Sequence, residues 1–144
     1  MTHEDREHYA KKHPPDRKVN TDIDKAVRDR TSNNEISCAA AFGIVNDLNT
    51  SPDEVGFTVD SLEVTITKCQ LGLFGYGKGK KVIKPAETMA KDLEQAIVES
   101  LADERLTCKT AWEISERFGI KKMEVASDCE ALQVKIYSCQ LGAF

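Results

Sequence analysis

No run of about 18 consecutive apolar residues, the length a membrane-spanning helix needs, occurs in this 144-residue chain. Residues 1–20 are polar and charged, with no apolar core of a secretory leader, so a cytoplasmic location and no membrane partner are expected. Cysteine is present five times, an odd number with no C-x-x-C spacing. That favours reduced thiols over a disulfide framework and gives no reason to expect a cofactor. Histidine occurs only at His3, His8 and His13, all in the N-terminal stretch. No Ser/His/Asp or Cys/His arrangement can be assembled around them, and an enzyme is not expected. His3 and His8 lie five apart rather than four and would not share a helix face as zinc-protease ligands do. The run Gly75-x-Gly77-x-Gly79-Lys80 lacks both the spacing and the strand-to-helix context of a nucleotide loop.

What the chain does contain is one segment twice. Residues 21–74 match residues 91–144 without a gap at an offset of 70. Identities include Asp22/Asp92, Ala26/Ala96, Cys38/Cys108, Ala41/Ala111, Ile44/Ile114, Glu54/Glu124, Val55/Val125, Leu62/Leu132 and Ile66/Ile136. The closing run Cys69-Gln70-Leu71-Gly72-x-Phe74 returns as Cys139-Gln140-Leu141-Gly142-x-Phe144. A fixed period defines the building unit. Each copy is near the size at which a lone core is marginal, so the copies are expected to share one as a pseudo-twofold pair. The division expected is a mobile polar tail over 1–20, repeat 1 over 21–74, a basic Gly/Lys linker over 75–90 and repeat 2 over 91–144.

Both copies predict the same order of elements. A first helix is expected over about 22–32 and, in the second copy, about 86–103. Ser37 and Thr107 read as N-caps of a second helix over 38–48 and 108–118. Ala41, Ile44, Val45 and Leu48, matched by Ala111, Ile114 and Phe118, form its apolar stripe, and Asn49 and Gly119 suit left-handed termini. Phe42 and Trp112 read as equivalent core positions. Ser51-Pro52-Asp53-Glu54 combines an N-cap, a proline at the first helical position and a capping-box glutamate. Val55, Val59 and Leu62, with Val125, Cys129 and Leu132, are the expected buried stripe of a third helix. Ile66 and Cys69 would continue that spacing if the helix ran on to Gly72, but Val64-Thr65-Ile66-Thr67 is β-branched throughout and alternates apolar with polar, so a strand is expected.

Helix, short strand, helix, tight turn, helix, strand resembles the order of a winged-helix domain, most closely over Thr107 to Ile136. The resemblance implies a mainly α fold with short β-strands, built as two helix-turn-helix modules with small β-wings. It also implies a wing over Leu73-Phe74-Gly75-Tyr76-Gly77-Lys78-Gly79-Lys80-Lys81 that returns as Val82-Ile83-Lys84, a third helix that enters the DNA major groove, and a role in transcription regulation. Repeat 2 ends at Phe144 with no full wing.

Charge divides the candidates. Nine acidic residues against four basic ones give repeat 1 a net −5, and ten against seven give repeat 2 a net −3. The third helix of repeat 1 carries Asp53, Glu54, Asp60 and Glu63 and no Lys or Arg, which would repel phosphates. Nucleic-acid contact is therefore expected from Tyr76, Lys78, Lys80, Lys81 and Lys84 in the linker and from Lys121 and Lys122 at the third helix of repeat 2. The alternative is a protein-interaction module with acidic third helices. A third reading, a cysteine-based metal or redox sensor, rests on the repeat-equivalent pairs Cys38/Cys108 and Cys69/Cys139, for which packing is the expectation and ligation the alternative.

Overall fold

The computed structural model describes residues 9–77 and 81–144, and is mainly helical with a few short strands. Each repeat has the same element order. Repeat 1 comprises α1 (Thr21–Arg30), β1 (Glu35–Ser37), α2 (Cys38–Asp47), α3 (Pro52–Ser61) and β2 (Thr65–Thr67). Repeat 2 comprises α4 (Lys91–Glu99), β3 (Arg105–Thr107), α5 (Cys108–Phe118), α6 (Lys122–Ala131) and β4 (Lys135–Tyr137). The strands expected after the third helices are present. Their pairing is parallel, Ile36 opposite Ile66 in one copy and Leu106 opposite Ile136 in the other. Residues 82–84 form no strand.

Local chemistry explains most boundaries. The Asn20 side chain accepts the amides of Asp22 and Ile23 at the start of α1, and Ser37 and Thr107 cap α2 and α5 by accepting the amides of Ala40 and Thr110. Asn49 and Gly119 end those helices with φ of 50° and 63°. A two-residue turn joins each first helix to its strand, at Asn33-Asn34 and at Asp103-Glu104, all with positive φ. Antiparallel bridges between Ser32 and Glu35 and between Ala102 and Arg105 close these turns in the primed geometry.

Three sequence expectations change. The first helix of repeat 2 begins at Lys91 rather than near Ala86, because residues 81–90 run without regular structure and the Ala86 amide bonds Ser127 O at 3.0 Å. The capping box at Ser51 is half formed: Ser51 Oγ accepts the Glu54 amide, while the Glu54 carboxylate binds Arg17. Leu62 and Leu132 are half-buried at the C-caps of their helices, and Leu48 is exposed, because α2, α3 and α6 each end just before that stripe position.

The chain falls into two compact units whose boundaries do not follow the repeats. One unit holds residues up to Cys69 together with Gln140–Phe144, and the other holds Gln70–Cys139. From Gln70 and Gln140 onward, the closing run of each repeat thus belongs to the unit built by the other. Unit 1 buries Ile23, Val27, Ile36, Ala41, Ile44, Val55, Val59 and, from the closing run of repeat 2, Leu141. Unit 2 buries Leu93, Ile97, Leu106, Ala111, Ile114, Val125 and, from repeat 1, Leu71. Gly72 and Gly142 turn with φ of 76° and 80°, as expected of a chain reversal.

Candidate functional site

The third helix is where the resemblance places function, and in unit 1 that helix is covered. Six consecutive residues of α3, Val55-Gly56-Phe57-Thr58-Val59-Asp60, are buried, whereas a helix on a protein surface exposes one face. Two segments cover it. A Cβ added at Gly56 would lie 2.1 Å from the Leu141 carbonyl oxygen, so the closing run 140–144 sits directly on the α3 backbone.

The second cover is the N-terminal segment. The sequence reads as a mobile tail to residue 20, with its histidines in solvent. Residues 9–17 instead lie along α3 as a strap, opened by a 3-10 turn at Tyr9–Lys12 that buries Tyr9. Lys12 Nζ is 3.1 Å and His13 Nε2 2.7 Å from the same oxygen of Asp60, a carboxylate only 6% exposed. Arg17 reaches Asp53 and Glu54, each at 3.0 Å, and its guanidinium stacks 3.9 Å over the Phe57 ring. His13 meets the same ring edge-on at 4.9 Å. Burial opposes the Arg17 charge, but the two carboxylates outweigh it and raise its pKa. The acidic residues of α3 thus have cationic partners within their own unit. His3 and His8 lie outside the described residues.

Unit 2 repeats the plan with different chemistry. Residues 81–86 lie along α6, pinned by Val82 N to Gly72 O at 2.9 Å and Ala86 N to Ser127 O at 3.0 Å. Lys81 Nζ is 2.6 Å from Glu130, the residue equivalent to Asp60. Helix α6 exposes Glu124 and Ala131, with every other position half-buried or buried.

Of the residues expected to contact nucleic acid, two are engaged by other groups of unit 2. Lys78 and Lys80 lie outside the described residues. Lys81 is paired with Glu130, and Lys122 places its ammonium 4.6 Å from the Trp112 ring centre. Tyr76 is half-buried. Lys84 and Lys121 are exposed, the latter at the N-terminus of α6 with no side-chain cap. Phe42 and Trp112 are half-buried, not fully enclosed.

Among the thiols, Cys38, Cys69, Cys108 and Cys129 are buried and Cys139 is half-buried. Burial, followed by the charges of Asp128 and Glu130, pushes the Cys129 thiol up to about 12, so it stays protonated and unreactive. Among the described residues no three His, Cys, Asp or Glu side chains converge as a metal site.

Asp128 is buried where repeat 1 has Thr58, whose hydroxyl is satisfied by Glu54 O at 2.9 Å. Burial first, and the Glu124 charge second, raise the Asp128 pKa. A carboxyl held above its unfolded pKa favours folding when protonated, and that advantage is lost as pH rises through the carboxylate range. Asp128→Thr is therefore expected to raise the melting temperature near neutral pH, with a gain that shrinks on acidification. Melting curves at neutral and acidic pH check this, and an unchanged or lower neutral melting temperature contradicts it.

The bounds 21–74 leave the strap outside repeat 1. The signal was available, because the same offset pairs Lys11 with Lys81 and Pro15 with Pro85 upstream of residue 21. Comparison of the chain with protein-family models, with curated proteins and with solved structures finds no match.

Proposed function

We propose that the chain is a non-enzymatic protein-interaction module, built of two winged-helix-like repeats whose acidic third helices serve packing and partner contact instead of groove reading. The observation that carries this reading is the covering of α3, whose carboxylates engage Lys12, His13 and Arg17. A helix that reads DNA needs a free, cationic face, since phosphate neutralisation supplies most of the attraction. The net charges of −5 and −3 on the two repeats point to a partner with a basic contact surface. The winged-helix description rests on element order and is an analogy of fold.

A second reading, a nucleic-acid-binding regulator, is favoured by exposed Lys84 and Lys121. The two readings separate in one titration. At about 50 mM salt, where even non-specific contacts are detectable, the chain is expected to leave random duplex DNA unbound. Salt-sensitive binding that weakens on Lys84→Ala and Lys121→Ala, with a flatter salt slope, would establish the regulator reading instead.

A further inference from the structure

We propose that the face of α3 carrying Asp53, Glu54, Phe57 and Asp60 is a docking site for a basic segment of a partner protein, and that the strap at residues 9–17 is its resident competitor. The inference rests on the protein-interaction reading and assigns its site. The strap displays the ligand chemistry. A Lys-His pair converges on Asp60, the buried carboxylate of this face, at 3.1 and 2.7 Å. Four residues later an arginine bridges Asp53 and Glu54 and stacks on Phe57. A partner segment with a lysine next to a histidine, and an arginine at that spacing, satisfies the same groups.

The manner of attachment makes the strap replaceable. Among the described residues its hydrogen bonds to the rest of unit 1 all use strap side chains: Tyr9 to Thr65, Lys12 to Gly142, His13 to Asp60, and Arg17 to Asp53 and Glu54. Its backbone bonds, His13 N to Ala10 O and Arg17 N to Pro14 O, stay within the strap. In unit 2 the corresponding segment is tied by backbone hydrogen bonds, which a competing peptide cannot reproduce through side chains alone. The Arg17 pairs are also solvent-accessible, with Asp53 79% and Glu54 42% exposed, so each holds weakly and is screened by salt. Local opening of a segment held in this way exposes α3 without unfolding the unit.

The test uses the full chain carrying Lys12→Ala, His13→Ala and Arg17→Ala, titrated with a fluorescent peptide of residues 9–18. The tethered strap competes at high effective concentration in the unmodified chain, so the peptide is expected to bind the triple variant at least about tenfold more tightly. That affinity is expected to fall as salt rises and to be lost when Asp53→Asn, Glu54→Gln and Asp60→Asn are added. A folded triple variant that binds no better than the unmodified chain overturns the site. Should the triple variant lose its helical circular dichroism, excess peptide is added to the unmodified chain and hydrogen exchange of residues 9–17 is followed. Faster exchange supports displacement, and unchanged exchange overturns it. Failure of the peptide with duplex DNA also unbound sinks this site alone, whereas duplex binding sinks the protein-interaction reading whatever the peptide does.

Discussion

Ile44→Ala and Ile114→Ala are each expected to cost about 2–5 kcal/mol of folding free energy, the range for truncating an enclosed aliphatic side chain and leaving a cavity. Both residues are core positions of a second helix, at 0% and 3% exposure. They sit at equivalent points of the two units, so the losses are expected to be similar. The half-buried Leu62 and Leu132 serve as controls, since each keeps part of its side chain in water and has less burial to lose. Denaturant titration of the four variants reads the difference. Near-neutral substitution at both isoleucines would place the register of the second helices wrongly.

Gly56→Ala is the second large effect, and its direction runs against the repeat itself. The equivalent residue of repeat 2 is Ala126, and alanine is favoured over glycine inside a helix by about 1 kcal/mol. By helix propensity alone, matching repeat 1 to repeat 2 is stabilising. The added Cβ would, however, lie 2.1, 2.8 and 3.1 Å from the carbonyl oxygen, carbonyl carbon and Cα of Leu141, all backbone atoms that cannot rotate away. Overpacking of this kind costs about 1–3 kcal/mol and displaces the closing run with its buried Leu141. A net loss is expected. Gly43, inside α2, has nothing within 4 Å of its would-be Cβ, so Gly43→Ala is expected to gain about 0.5–1 kcal/mol. Opposite signs at the two glycines, measured by thermal melting, test the packing of residues 140–144 on α3; a gain at Gly56 would contradict it.

These cases show where the sequence was informative. Caps, turns and β-branched runs act within a few residues, so Ser37, Ser51, Thr107, Asn49 and Gly119 and the strands at 65–67 and 135–137 were legible from local chemistry. Repetition itself was legible because it is a property of the string. Which segment covers which helix was not. Asp60 reads as a solvated carboxylate until residues 9–17 are placed over it, and Gly56 reads as a weak helix position until Leu141 arrives from 85 residues downstream. Long-range placement likewise decided the lysines: Lys81 and Lys122 look like free cations in sequence and are held by Glu130 and Trp112 in the fold.

Carbodiimide labelling of carboxyl groups, read residue by residue by mass spectrometry on the full chain, tests most directly whether α3 is covered. Asp53 and Asp60 lie on the same helix, with side chains 79% and 6% exposed. Asp53 is expected to react readily and Asp60 to stay protected, with protection lost when His13 and Arg17 are replaced by alanine. Equal labelling of Asp53 and Asp60 in the unmodified chain would mean that α3 is open to solvent, and would contradict the account.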